Sequence, residues 1–310
     1  MRKLTFPVIM VTAVLMAACS PDNFVSLFNG RDLYHWMMPG ENKGFRVKDG
    51  NLYTEVFDGS NIFTVDEYGN FILRFEYYLS GTGNSGVLLR CRPDNPWGTG
   101  VEVQLLAPWD PPSDDLHRTG SVYGYIAVKN RPDETPEVWR SMEIKYDRKL
   151  ISVSIDGQIV TRADIDTVPG MDNKLLKGAI GFQSNHSGPG EYAIFRNIVI
   201  RDLDREPGYV AGGFNHHDEG MRNLAHAAAV SIGTPMIEPL AVLMAGDSLP
   251  ASEGARQVLA CIVSDHSSTG TSGAEKRLAV RALKRSIRND HSVAVTAYLK
   301  ELLASLQQDV

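Results

Sequence analysis

Gly100-Val101-Glu102-Val103-Gln104-Leu105 alternates apolar and polar side chains. An extended backbone there sends Val101, Val103 and Leu105 to one face and Glu102 and Gln104 to the other. The first face suits a core and the second a site. Before it, Gly83-Asn84-Ser85-Gly86-Val87-Leu88-Leu89-Arg90 reads as a partner strand ending in a cation. After it, His117-Arg118-Thr119-Gly120-Ser121-Val122-Tyr123 and Lys129 bring a histidine, an aromatic ring and an ammonium from loops. An acid or base, amide groups and cationic donors are thus concentrated in one stretch.

Similar short runs recur on both sides, rich in β-branched and aromatic residues and bounded by glycine, proline, asparagine and aspartate. Strands are expected at 45–47, 51–55, 71–79, 86–91, 101–106, 121–128, 140–146, 150–155, 158–162, 179–184 and 192–202. Asp49-Gly50 and Asp156-Gly157 are two-residue hairpin signals, because glycine accepts positive φ without strain. Ile151, Val153 and Ile155 alternate with Ser152 and Ser154, which leaves one wet face. Eleven strands with no long helix among them imply an antiparallel β-sandwich.

The chain has 310 residues, 43% hydrophobic and 22% charged, enough for a sizeable core and for more than one domain. A net charge of −6 gives no reason to expect nucleic acid as a partner. Met1-Arg2-Lys3, an apolar run from Leu4 to Ala18 and then Cys19 form a charged start, a hydrophobic stretch and a small-residue cleavage site. The run is too short for a convincing membrane span. It resembles a bacterial lipoprotein signal, with Met16 where leucine is usual. The expectation is a signal peptide over 1–18, an acylated Cys19, a tether over 19–22 and an exported, membrane-anchored protein. Cys91 and Cys261 fall in different expected domains and outside any Cys-x-x-Cys pair, so both read as small buried apolar side chains.

Past Asp204-Arg205-Glu206-Pro207-Gly208 the period changes. Residues 205–213 read as a linker and 214–310 as a small helical domain. Ala255, Val258, Leu259, Ile262 and Val263 follow helical spacing, as do Ala279, Ala282, Leu283, Ser286 and Ile287, and Val295, Leu299, Leu302, Leu303 and Leu306. Pro235 and Pro250 fit the first turns of two more helices. Five amphipathic helices in under a hundred residues resemble HEAT or armadillo-like repeats, with a plain bundle as the alternative. The helix carrying Lys276, Arg277, Arg281, Lys284, Arg285 and Arg288 has a basic face, read as solvated or as a surface for lipid headgroups or an acidic protein partner.

Leu27-Phe28-Asn29-Gly30-Arg31-Asp32-Leu33, ending at Trp36, resembles the opening of the 3-keto-disaccharide hydrolase family. Further landmarks follow in order: Val47-Lys48-Asp49-Gly50-Asn51-Leu52, Asn84-Ser85-Gly86-Val87 with Arg90, Glu102-Val103-Gln104, Thr119-Gly120-Ser121-Val122-Tyr123, Gly178-Ala179-Ile180-Gly181-Phe182-Gln183 and Phe195-Arg196-Asn197-Ile198. The resemblance covers residues 23–204 and implies a concanavalin A-like jelly roll. It also implies chemistry on a sugar oxidised at carbon 3, where proton loss from carbon 2, elimination at carbon 1 and hydration give net hydrolysis. The sequence departs from the family at Ala107, where aspartate is frequent, at Arg140, and in Phe182-Gln183-Ser184-Asn185-His186.

On this reading Glu102 is the base or a metal ligand, Arg90 and Lys129 contact the enolate and hydroxyls, and His117 is the acid or an alternative base. Gln104, Tyr123 and Asn84 orient the sugar, while Trp97 and Trp109 flank the strand and can stack on sugar rings. A divalent metal is an option. An ordinary glycosidase needs two carboxylic groups, and the Glu102 strand carries no second one. Each residue also has a plain reading: Arg90 and Glu102 as a buried ion pair, His117 and Lys129 as solvated, the tryptophans as caps on the sandwich. His216-His217-Asp218 looks like a metal cluster but lies at the expected linker. The alternative function is a non-catalytic carbohydrate-binding module on a membrane tether.

Overall fold

The structure is a computed structural model that describes residues 23–41, 44–54, 60–108, 114–184, 186–267, 271–289 and 291–308. In chain order its strands are β1 (Val25–Ser26), β2 (Trp36–Met37), β3 (Phe45–Lys48), β4 (Asn51–Thr54), β5 (Asn61–Thr64), β6 (Phe71–Leu79), β7 (Asn84–Cys91), β8 (Val101–Leu106), β9 (Arg140–Asp147), β10 (Leu150–Ile155), β11 (Gln158–Asp164), β12 (Ala179–Gln183) and β13 (Ala193–Asp202). They form two antiparallel sheets, ordered β11-β10-β9-β6-β13-β4-β3 with β1 also on β13, and β2-β5-β12-β7-β8. The expected jelly-roll-like sandwich is therefore present. Between the sheets lie the alternate residues of each strand, among them Leu73, Phe75, Val87, Val103, Ile144, Val153 and Phe195. Phe75, Phe182 and Phe195 meet edge to face, with centroids 4.8–6.1 Å apart.

One expected strand does not form. Over 121–128 the chain makes tight turns, and only Val122 bridges, to Val103 and to Ile126. Gly120 and Gly124 have φ of +87° and +71°, which breaks extended backbone on both sides of Val122. Conversely, β1, β2 and β5 are short strands outside the expected set.

Arg90 lies at the end of β7 with φ of +50°, an uncommon conformation for a non-glycine residue. The bend turns its guanidinium into the end of the sandwich, where it is 1% exposed. Nε donates to the Gly69 carbonyl at 2.6 Å, one terminal nitrogen to the Arg148 carbonyl at 2.6 Å and the other to Asn70 Oδ1 at 3.3 Å. Its carbon lies 3.5 Å from the centre of the Tyr146 ring. Asn70 in turn donates to both oxygens of Asp204, just past β13. One side chain of the second sheet thus fastens two loops of the first and, through Asn70, the exit to the helices.

A row of rings crosses one end of the first sheet's outer face. Trp139, Tyr78, Tyr192 and Tyr53 follow one another at 5.6, 6.1 and 5.8 Å between centroids. Arg196 sits 3.9 Å over Trp139, and Lys48 lies 5.3 Å from the centre of Tyr53, so cations cap the row at both ends.

Besides α1 (Pro96–Thr99) in the β7–β8 connection, the helices are α2 (Pro207–Gly213), α3 (Glu219–Ile232), α4 (Ile237–Met244), α5 (Leu249–Ser267), α6 (Gly273–Ile287) and α7 (Val293–Gln308). Three hairpins, α2 with α3, α4 with α5 and α6 with α7, stack so that α2-α4-α6 and α3-α5-α7 make two layers around a second hydrophobic core. Two expectations change here. The linker over 205–213 is mostly helix, started by Pro207 and closed by Gly213, where a Cβ would come within 2.6 Å of the Ala225 Cβ on α3. Pro250 does not open a separate helix, because α5 runs from Leu249 through the whole Ala255–Val263 stripe. His216-His217-Asp218 is a helix start, with the Asp218 carboxylate accepting from the Met221 N–H. Cys91 is buried as expected, whereas Cys261 is exposed.

Replacing Arg90 with methionine keeps the stem but strands the Gly69 and Arg148 carbonyls. A loss of about 3 kcal/mol is expected, read from the denaturant midpoint, against well under 1 kcal/mol for the exposed Arg92→Met.

Candidate active site

The register of β7 and β8 sets the geometry. Leu88 pairs with Glu102, Gly86 with Gln104 and Asn84 with Leu106, so these residues share the outer face of the second sheet. Val103 bridges Val122, and the Tyr123 N–H donates to the Glu102 carbonyl at 2.9 Å, which places Tyr123 beside Glu102 on the same face. Gly86 leaves the room that the Glu102 carboxyl occupies. A Cβ there would stand 2.0 Å from Glu102 Oε1, so the carboxyl folds back over the bare backbone.

Glu102 is 7% exposed, and burial pushes its carboxyl up to about 7 despite the opposing hydrogen bond from Trp97. The Trp97 indole N–H donates to Oε2 at 2.7 Å. That indole is carried by α1, where Asn95 Oδ1 caps the Gly98 N–H and Pro96 opens the turn. Lys174 holds α1 from outside: it is buried, and its ammonium donates to the Trp97 carbonyl at 2.7 Å and lies 5.1 Å from the Tyr125 ring centre. Gln104, also buried, donates to Asn84 Oδ1 at 3.2 Å. Trp97, Tyr123 and Tyr125 are 47%, 45% and 37% exposed, so three rings remain open to solvent near one enclosed carboxyl.

The structure thus brings together Glu102, Gln104, Asn84, Trp97 and Tyr123. His117 stands at the margin, its ring edge-on to Tyr123 at 4.7 Å and its Nδ1 2.7 Å from Asp114 Oδ1. Asp114 is held below the usual carboxylate range chiefly by that bond. Arg90 is not brought to the site, and the expected contact with Glu102 is absent, because its positive φ directs it to the sandwich end. Lys129 is not brought there either; it is exposed and its backbone pairs with Val160 on β11, in the other sheet. Trp109 and Cys19 lie outside the described residues. Ala107 faces the core, and Arg140 pairs with Asp133 and Asp156, so neither of these two departures from the family pattern touches Glu102.

Lys174 and Tyr125 escaped the sequence reading. A lysine in Met171-Asp172-Asn173-Lys174 carries no pattern of its own. Among the described residues no group of three or more His, Cys, Asp or Glu side chains could hold a metal, and the Glu102 carboxyl is bonded by an indole N–H and lies against Gly86. This donor set does not suit a divalent cation. A groove of about 690 Å³, lined by Asn23, His35, Asp66, Tyr68, Asp202 and Arg205, opens elsewhere and holds none of these residues.

The fold is a jelly-roll-like sandwich with one enclosed carboxyl on the outer face of its second sheet. The chain belongs to the family of 3-keto-alpha-glucoside-1,2-lyase-like domains, whose profile matches residues 23–201. Among solved structures it is similar to a candidate glycosyl hydrolase from Parabacteroides distasonis, at 25% identity and a TM-score of 0.51, covering 58% of this chain and 93% of that one. A second candidate glycosyl hydrolase from the same organism gives the same identity and TM-score over 58% and 98%. No curated protein sequence matches the chain.

The raised carboxyl has a cost in stability. Its folded value of about 7 exceeds the ordinary 4.5, so the folded state holds the proton more tightly. The burial penalty is absent below pH 4.5, grows as pH rises, and is complete above pH 7, at up to about 3 kcal/mol. Glu102→Gln should therefore raise the unfolding midpoint at pH 8 and leave it nearly unchanged at pH 4. Equal shifts at both values would show that the carboxyl is not strained by burial.

Proposed function

We propose that this protein cleaves glycosides whose sugar carries a ketone at carbon 3, with Glu102 as the base. The observation that carries the reading is an enclosed carboxyl held at about 7, where a general base works best at neutral pH. The ketone acidifies the carbon 2 proton. Glu102 takes that proton and the electron pair becomes an enolate. The enolate then expels the substituent on carbon 1, forming a carbon 1–carbon 2 double bond conjugated to the ketone. The proton on Glu102 passes to the departing oxygen, and water adds across the double bond to complete hydrolysis. A single group near 7 can both accept and return the proton, so a second carboxylate is not required. Gln104, on the same face two residues along, supplies an N–H toward the developing oxyanion. Trp97, Tyr123 and Tyr125 give the sugar ring apolar faces to rest on.

A second reading keeps the rings and amides but not the chemistry, as a carbohydrate-binding module; the three exposed aromatic side chains favour it. Incubation with a 3-keto disaccharide and its unoxidised parent separates the two. Free sugar released from the keto form alone supports the enzyme, whereas binding without release supports the module. In the enzyme case Glu102→Gln should lower turnover at least about a thousandfold. The wild-type rate should rise with pH through about 7 as Glu102 ionises, and Trp97→Phe should move that rise to higher pH because a bond favouring the carboxylate is gone.

We further propose, from the leader alone, that the protein is exported and acylated on Cys19. Palmitate labelling of cells should mark the wild type and not Cys19→Ser.

A further inference from the structure

We propose that the exposed side of α6 docks the helical stack onto an anionic phospholipid bilayer. Arg277, Arg281, Lys284 and Arg288 follow one another at i, i+4, i+7 and i+11, so they form one line along the helix, and all are exposed. At 1.5 Å per residue this line is about 16 Å long. Arg285 stands beside it, 3.2 Å from Glu238. The four residues in the line have no ion pair among the described residues. The sole acid of the helix, Glu275, is engaged in its own capping box with Ser272.

The charge is segregated. The segment 273–288 holds six cations and one acid, a net of +5 in a chain of −6, which leaves −11 for everything else. A terminal repeat needs a polar outer side for solubility, but charge of either sign would serve, and interspersed signs are usual. A single-sign line on an otherwise acidic protein gives it one face that an anionic surface attracts while the remainder is repelled. Two apolar side chains of the same hairpin are also exposed: Leu278 on α6 at 53% and Val293, opening α7, at 89%. A single-sign line of cations on a hairpin that also exposes apolar side chains suits a membrane interface better than an acidic protein, which would leave those two side chains in water. The chain also enters next to this stack, since Asn23 bonds Glu206 at the start of α2. If the export reading holds, an acyl group on Cys19 lies four residues before Asn23 and keeps this junction within about 14 Å of a membrane. The line on α6 does not depend on that reading.

The test uses residues 20–310, which contain both cores, sedimented with vesicles of phosphatidylcholine alone or mixed with phosphatidylglycerol. Pelleting with the anionic vesicles at low salt, none with the neutral ones, and release by high salt are expected. Arg281→Glu with Lys284→Glu should lower the partition coefficient at least about tenfold. Arg31→Glu with Arg162→Glu makes the same change in net charge on the exposed sandwich surface and should leave it unaltered. Unfolding curves verify that both variants fold. No pelleting with anionic vesicles, equal losses in the two double variants, or tighter binding to polyglutamate than to vesicles would each overturn the proposal. None of these outcomes bears on sugar cleavage, which is assayed without lipid.

Discussion

A guanidinium taken out of water must find acceptors for its donors, and Arg90 finds them in parts of the chain that are far apart in sequence. Burial lowers its pKa, while Tyr146 and Asp204 oppose that effect. The demand for acceptors sets the positions of the Gly69 and Arg148 carbonyls and of the Asn70 side chain, and Asn70 passes the constraint to Asp204. Hydrophobic burial between the sheets is non-directional and would tolerate some sliding. The hydrogen bonds of Arg90 are directional and fix how the two sheets meet at that end. The second sheet, whose outer face holds Glu102, is registered by this contact.

The site itself runs against stability. A carboxyl folded onto the bare backbone at Gly86, with an indole as its hydrogen-bond partner, is costly to ionise in place. No cation among the described residues acts on the Glu102 carboxyl to relieve it. Arg90 is spent on structure, and Lys174 bonds the carbonyl of Trp97 rather than the carboxyl. That lysine helps fix α1, and α1 fixes the indole, so a buried charge away from Glu102 sets the geometry around its carboxyl.

Much of the sandwich was legible in the sequence, since alternation along 101–105, 151–155 and 71–79 reports burial directly, and the Asp156-Gly157 turn reports its own dihedral angles. The pairing of Glu102 with Gln104 on one face was equally legible. The role of Arg90 was not, because whether an arginine at a strand end turns inward depends on a positive φ that side-chain identity does not announce. Lys129 and Lys174 show the same limit: one adjoins a family landmark and lies against the other sheet, while the other sits in an undistinguished loop and reaches α1. The stretch over 121–128 had the composition of a strand, and two glycines with positive φ overrode it. In the helical part, the stripe from 255 to 263 was visible but its continuity back to Leu249 was not, because a proline marks a first turn without saying whose.

The ring row on the first sheet has an optical consequence. Aromatic transitions on side chains about 6 Å apart couple with one another, and Tyr53 on β4, Tyr192 just before β13, Tyr78 on β6 and Trp139 just before β9 stand in such a sequence across four adjacent strands. Coupled transitions in a fixed chiral arrangement give circular dichroism that isolated rings lack. The outer face of the sandwich, remote from the carboxyl, therefore carries its own spectroscopic signature of correct strand order.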